Sequence, residues 1–427
     1  MKSEKNKTAL YRLVITHYLI AGICFAALSI MLLFSVDSFG GHYFNPKLLA
    51  LTHTAALGWG TVIIFGSCYQ LLPIILETGL YSIKLAWLSI SLFVPGLFLL
   101  VCAFWQFDVG LCMQAGSVLL LSGIACFVLN ACLTSAGNKT LNSIYREFIT
   151  TASIWLLATT TLGALLVFNF QYAFLPKDHL QFLRLHAHAG IAGWFLLLII
   201  GVSSKLIPMF LVSKVQKVKL LSASYYLINL ALIAFITDGY IYGINLKTYL
   251  FAGLAISGIV CYFVYVFWCF KSRMRKAIDL PITNTVISIV FLASAIVALP
   301  VVIRFSLTSN PLALKLSTLY GTLIFIGWIS SLILGQTFKT MPFIVWAKQY
   351  EHLAGRAKTP MPADLFNNSL LKIQTFCFGI FCLAFYSGLL AGNTGLVYLG
   401  MVSLCFCAAF YLSNLLKVVF HKPKVLV

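Results

Sequence analysis

The sequence predicts an all-α membrane protein with twelve transmembrane helices in three pseudo-equivalent four-helix repeats. Two observations predict this fold: the composition, and a motif that recurs three times at nearly constant distance. Hydrophobic residues make up 61% of the 427 residues and charged residues 9%, and the mean hydropathy is +0.98. Charged residues make up about a quarter of a soluble domain, so a soluble fold is excluded. We therefore expect a single polytopic membrane domain over residues 1–427.

The recurring motif consists of Gly-Trp, a second Gly eight residues after the first, and Pro seven residues later. Its copies are Gly58-Trp59/Gly66/Pro73, Gly193-Trp194/Gly201/Pro208 and Gly327-Trp328/Gly335/Pro342. The copies follow one another after 135 and then 134 residues, a distance that suits four membrane crossings with their loops. We therefore expect repeats at about 11–134, 148–270 and 281–418.

Each predicted span is an apolar run long enough to cross a hydrocarbon layer of about 30 Å. In order, the spans are 11–35, 47–73, 84–105, 109–134, 148–174, 183–210, 219–243, 248–270, 281–303, 313–342, 368–392 and 395–418. Span 1 lacks the short apolar region of a cleavable signal peptide, so we expect it to remain as a span. Spans 2, 6 and 10 carry the three motif copies, and their glycines favour close helix packing.

The basic residues predict the orientation of the chain. If the spans alternate in direction, only 6 of the 29 Lys and Arg residues fall on the side opposite the N-terminus. Because basic loops face the cytoplasm, we expect a multi-pass protein of a bacterial-type inner membrane with both termini cytoplasmic. The net charge of +19 is then explained by contact with membrane lipid, and we expect no binding of nucleic acid.

Histidines precede the first two motif copies at matched positions. His53 and His188 each lie five residues before a Gly-Trp pair, and Thr322 lies there in the third copy. A polar ring in hydrocarbon must find a partner and is usually functional, although a hydrogen bond to a carbonyl or a headgroup is the simpler explanation. His186 lies two residues before His188, about 200° away around the helix, so the two rings should face different crevices. Such histidines suit axial coordination of haem.

The pattern resembles the catalytic subunit of haem–copper oxidases and nitric-oxide reductases: a threefold-repeated, twelve-span chain, a histidine near the outer end of span 2, and a His-x-His helix. The resemblance implies that His53 matches the span-2 haem ligand of that family. The family's histidines on spans 7 and 10 are missing here, because neither 219–243 nor 311–342 contains one. A complete oxygen-reducing centre is therefore not expected. The chain is more similar to divergent oxidase-like membrane proteins, including the NnrS group associated with nitric-oxide stress.

We expect His53 and His188 to bind one b-type haem near the outer face, with Arg184 pairing with a propionate. An interfacial arginine that extends to the headgroups is the alternative for Arg184. His186 would then ligate a second haem or a metal ion. Copper bound by His42, His179 and His186 remains an open alternative, although histidines in loops are more often solvent-exposed side chains.

The expected function is that of a haem-binding membrane protein. It would act in electron transfer with a redox partner at the outer face, or in a response to nitric oxide or oxygen, and an oxidoreductase activity is left open. A membrane transporter is one alternative, but carrier repeats usually form an inverted pair or two halves rather than three units. An assembly factor that delivers haem or copper is the other alternative.

Overall fold

The structure, a computed structural model, describes residues 2–138, 143–215, 217–308, 310 and 312–423. In this part of the chain the secondary structure is helical apart from one isolated antiparallel bridge between Ser213 and Arg273. Twelve of the described helices are long and apolar enough to cross a membrane: Lys7–Leu33, Pro46–Ile75, Ile83–Gln106, Leu111–Ala136, Ile144–Tyr172, His179–Leu211, Val218–Tyr242, Lys247–Lys271, Leu280–Leu307, Leu312–Leu353, Asn368–Ala391 and Thr394–Val419. We refer to them as spans 1 to 12. The predicted all-α, twelve-span fold is confirmed, and the chain is a multi-pass membrane protein.

Several spans extend beyond their predicted ends, spans 6 and 10 among them. Span 6 begins at His179, because the side chain of Asp178 caps this helix by accepting a hydrogen bond from the amide of Leu180 at 3.1 Å. Span 10 continues past residue 342 into a segment that the sequence analysis assigned to a connection. Side-chain contacts hold this polar extension in helical form, since Trp346 Nε1 donates to the carbonyl of Pro360 at 2.7 Å and Tyr350 is buried.

Spans 2, 6 and 10 each contain a π-helical segment, which the sequence analysis did not predict. The segments are Thr54–Thr61, Ala189–Leu196 and Leu323–Ile329. Their first residues are separated by the same 135 and 134 residues as the motif. Each segment begins directly after His53, His188 or Thr322. A π-helical turn contains one more residue than an α-helical turn and is frequently found at functional sites, so these three equivalent positions each precede a widened turn.

The second motif glycine marks a close approach to another span, which is span 1, span 5 or span 9. A Cβ atom at Gly66 would lie 2.6 Å from His17 Cβ, one at Gly201 would lie 2.5 Å from Phe148 Cβ, and one at Gly335 would lie 2.6 Å from the carbonyl oxygen of Pro281. Real Cβ atoms do not approach other atoms so closely. The glycine therefore fixes how each motif-bearing span packs against that neighbouring span.

The contacts divide the chain into two compact units. The first comprises Met1–Cys68, Ile278–Ala298 and Pro311–Val427, and the second comprises Tyr69–Ala277 and Leu299–Asn310. In the core of the first unit, Trp59 stacks on Phe25 at 4.4 Å between ring centroids. In the core of the second, Trp194 packs edge-on against Phe127 at 5.9 Å. The motif tryptophans are therefore core side chains. The repeat boundaries expected from the sequence stay a prediction.

Candidate functional site

His53 lies in the first unit, partly buried, as the last residue before the π-helical segment of span 2. Its Nδ1 atom is 2.8 Å from the carbonyl oxygen of Leu49, one helical turn earlier. A carbonyl oxygen only accepts hydrogen bonds, so Nδ1 must carry the proton. In the neutral ring Nε2 then carries the lone pair, and a backbone partner on Nδ1 is the usual companion of a metal-binding imidazole.

His188 has the same local geometry in the second unit. It precedes the π-helical segment of span 6, and its Nδ1 atom is 2.9 Å from the carbonyl oxygen of Arg184. Phe235 of span 7 packs against its ring at 5.0 Å between centroids. His53 and His188 are thus matched in sequence position, in backbone setting and in the ring nitrogen that the backbone holds.

His186 turns towards span 5. Its Nδ1 atom is 2.9 Å from the carbonyl oxygen of Thr159, and a Cβ atom at Gly163 would lie 2.8 Å from its Cε1 atom. His186 therefore contacts span 5 while His188 contacts span 7, in agreement with the divergence expected from their spacing. The sequence analysis did not find Thr159 or Gly163; the only signal was a glycine within an apolar span.

Arg184, His42 and His179 lie nearer the ends of the helices. Arg184 is exposed, and its carbonyl oxygen accepts the hydrogen bond from His188. His42 is exposed in the loop before span 2, where its Nδ1 atom accepts a hydrogen bond from the amide of Phe44 at 2.9 Å. The proton of a neutral His42 ring is therefore on Nε2, the reverse of the arrangement in His53 and His188.

The side chains of His179 and His186 contact different parts of span 5 in the second unit. Its Nδ1 atom is 3.3 Å from Nδ2 of Asn169, whereas His186 binds at Thr159, ten residues earlier on span 5 and about 15 Å away along the helix axis. Among the described residues, no three His, Cys, Asp or Glu side chains form a group that could hold a metal ion. The copper set of His42, His179 and His186 stays a prediction from the sequence.

In the third motif copy the histidine position is occupied by Thr322, which is contacted by an aromatic side chain. The hydroxyl group of Tyr386, from span 11, donates to the carbonyl oxygen of Thr322 at 3.1 Å. The rings of Phe385 and Phe291 lie 5.2 Å and 5.8 Å from that of Tyr386. Tyr386 thus contacts the residue before the third π-helical segment, as Phe235 contacts His188 before the second.

No protein-family model and no curated protein matches this sequence. Among solved structures, the chain is similar to that of a haem–copper terminal oxidase studied as a dimer by cryo-electron microscopy. The TM-score is 0.64 and the sequence identity 12%, and the match covers 97% of this chain and 85% of that one. At this identity the likeness shows the fold and not the ligands. The chain therefore shares, over nearly its whole length, the fold of a haem–copper terminal oxidase.

Proposed function

We propose that the protein binds b-type haem through His53 and His188. The observation that supports the proposal is their matched setting: each lies directly before a π-helical segment, and each has Nδ1 held by the carbonyl oxygen of the residue four positions earlier. The backbone thereby fixes the tautomer that leaves the Nε2 lone pair for iron. The residues present therefore suit haem, which when bound supplies an iron that exchanges one electron.

The activity that we propose is one-electron transfer with a redox partner at the outer face, or a response to nitric oxide or oxygen. In either case the chain orients its imidazoles by backbone hydrogen bonds, and Arg184 supplies a cation for a haem propionate. Full terminal oxidase activity is not part of the proposal, because neither span 7 nor residues 312–342 of span 10 contain a histidine. His186, which is held against span 5, is proposed to ligate a second haem or a metal ion.

The optical spectrum of the purified full-length protein in detergent tests this proposal. We expect the absorption bands of b-type haem in the wild type and their loss or marked decrease in His53→Ala and His188→Ala. The ratio of haem to protein in each variant gives the number of haems that depend on each ring. His352→Ala is the matched control, because His352 is exposed and should leave the spectrum unchanged.

Colourless, iron-free protein from cells that are replete with haem would overturn the proposal and favour a transporter. If haem is bound, carbon monoxide added to the reduced protein separates the two activities. An unchanged spectrum indicates that both axial positions are filled, which suits electron transfer. A shifted spectrum indicates an open position, which suits gas binding.

A further inference from the structure

Two loops of the second unit are joined at one membrane face. One follows span 6 and the other follows span 8, and an antiparallel bridge links Ser213 to Arg273. The hydroxyl groups of Ser213 and Ser272 lie 2.7 Å apart, and the amide of Met274 donates to the carbonyl oxygen of Val212 at 3.3 Å. We call residues 211–215, 217–219 and 271–277 the basic loop pair. Its two loops are held together by both backbone and side-chain hydrogen bonds.

The basic loop pair concentrates positive charge. It contains seven basic residues and no Asp or Glu: Lys214, Lys217, Lys219, Lys271, Arg273, Arg275 and Lys276. Hydrogen bonds between the loops place these like charges on two neighbouring backbone segments. Repulsion among them is relieved when an anion binds, and the face concerned is the one that the basic residues predict to be cytoplasmic.

Trp268 places part of this charge at the depth of lipid headgroups. The Nζ atoms of Lys217 and Lys271 lie 4.4 Å and 4.8 Å from the centroid of its ring, within cation–π range. Tryptophan near the end of a span prefers the membrane–water interface. Two ammonium groups are therefore held around one interfacial ring, where the phosphate groups of lipids also lie.

Arg273 has an N–H group without an acceptor among the described residues. Its Nη1 atom donates to the carbonyl oxygen of Phe270 at 2.7 Å, which fixes the guanidinium group. Its Nε atom is buried and has no hydrogen-bond partner among the described residues. A buried unpaired donor costs stability, and a phosphate oxygen is the acceptor that a guanidinium group binds best.

We propose that the basic loop pair binds the phosphate headgroup of an anionic phospholipid. The phosphate accepts from Arg273 and is paired with the ammonium groups of Lys217 and Lys271. Three observations favour a lipid over a soluble phosphate: the loops follow two membrane spans, Trp268 lies beside the lysines, and the charge cluster contains no acid. The site is independent of the haem proposal, because it uses none of the same residues.

Native mass spectrometry of the full-length protein, released from detergent with defined lipids, tests the site. We expect phosphatidylglycerol to be retained in preference to phosphatidylcholine. Each basic side chain near the surface contributes enough to change the affinity for phosphatidylglycerol about fivefold. We therefore expect a decrease of at least about fivefold in Lys217→Gln and a larger one in the double variant Lys217→Gln/Lys271→Gln.

Lys372→Gln is the matched control, because Lys372 is exposed near the start of span 11, outside the basic loop pair, and should change retention less than twofold. Inorganic phosphate in large excess should not displace the lipid. Equal retention of the two lipids by the wild type, or equal retention of phosphatidylglycerol by wild type and Lys217→Gln, would refute the site. Displacement by inorganic phosphate would refute the lipid as the occupant. If the double variant does not fold, retention of phosphatidylglycerol by Lys217→Gln alone decides the test. The Lys217 side chain is exposed, so this substitution should not disturb folding.

Discussion

His186 illustrates how a single glycine can set the position of a polar ring in an apolar span. The ring lies against the backbone of span 5, where its Nδ1 atom reaches Thr159 because Gly163 has no side chain. A larger residue at position 163 would occupy the space of the imidazole. The orientation of His186 is therefore determined by span 5 as much as by its own helix.

We expect Gly163→Ala to destabilise the protein by about 1–3 kcal/mol, the usual cost of inserting a methyl group into a packed interior. The added methyl group would lie 2.8 Å from His186 Cε1, so the ring must move from the Thr159 carbonyl. The measurement is the free energy of unfolding in a mixed-micelle SDS titration.

Gly253→Ala is the control for this substitution, because a Cβ atom at Gly253 would have no neighbour within 4 Å. Alanine is the better helix former, so the control should be neutral or slightly stabilising. Equal effects of the two substitutions would show that the contact between Gly163 and His186 does not determine the packing.

At the scale of elements, hydrogen bonds link the first and third π-helical segments. In the first unit, Trp59 Nε1 donates to Ser330 Oγ at 3.0 Å, and Ser330 Oγ donates to the carbonyl oxygen of Phe325 at 2.8 Å. Phe325 lies in the third π-helical segment and Trp59 in the first. The tryptophan of one motif copy therefore stabilises the widened turn of another.

We expect Ser330→Ala to cost about 1–3 kcal/mol, because it leaves the buried indole N–H of Trp59 without its acceptor. In Trp59→Phe, which has no donor, the same serine substitution should cost about 1 kcal/mol less. A double-mutant cycle on the free energy of unfolding measures this coupling.

Ser294→Ala controls for loss of a helical serine, because Ser294 is exposed and its hydroxyl group donates to Val290 of its own helix. It should change stability by less than about 0.5 kcal/mol. A coupling energy near zero between Trp59 and Ser330 would contradict the proposed stabilisation of the turn.

Lys339 differs from its counterpart Lys205, although both lie three residues before the motif proline. In the structure Lys339 forms an ion pair with Asp279, which lies just before span 9. Lys205 is exposed, with Nζ 5.6 Å from the ring centroid of Tyr145. The two lysines therefore contribute differently to stability.

We expect Lys339→Met to destabilise the protein by about 1–2 kcal/mol, between the values for exposed and buried ion pairs. Lys205→Met should be close to neutral, because the cation–π contact of an exposed lysine is weak. Unfolding titrations of the two variants provide the comparison. If Lys339→Met has no larger effect than Lys205→Met, the ion pair with Asp279 does not contribute to the free energy of unfolding.

The sequence predicted the positions of the spans well, but it did not predict which side chains of other segments contact them. Span positions follow from hydropathy, because an apolar run must be long enough to cross the bilayer, whatever it packs against. A π-helical turn has no such local signal, since the choice between hydrogen-bond partners four and five residues away depends on tertiary packing. The ion pair of Lys339 also has no local signal, because its partner Asp279 is distant in sequence. The contact of Gly163 with His186 likewise joins two different spans.

At the scale of the whole molecule, an even number of spans places both termini on one side of the membrane. The distribution of basic residues predicts that this side is the cytoplasm. The loop between spans 3 and 4 is then outside, and Cys112 lies one residue into span 4. All twelve cysteines are in the described part of the chain, and Cys112 is the one that is exposed.

We expect a membrane-impermeant maleimide to label the protein in intact cells from which the outer envelope has been removed. Labelling should disappear in Cys112→Ser, because the remaining cysteines are buried or partly buried. The measurement is gel detection of the labelled protein. Labelling of Cys112 only after the cells are lysed would reverse the predicted orientation.

For the molecule as a whole, the threefold spacing of the motif was the sequence feature from which most of the architecture could be predicted. It located the equivalent spans 2, 6 and 10, and it paired His53 with His188. It could not indicate that Tyr386 would contact the third position, with Phe385 and Phe291 packed against its ring, because these side chains come from spans 9 and 11. Packing around a site depends on residues whose proximity only the folded chain establishes.

The π-helical segment that contains each Gly-Trp pair also bears on the origin of the chain. Insertions of one residue that arose separately in three copies would not be expected at the same register. If the three predicted repeats descend from one four-helix unit, the matching places at Thr54, Ala189 and Leu323 predict that this unit already carried the additional residue before it was duplicated. On that condition, the histidine was gained or lost among the descendants, while the distorted helix was inherited by all three.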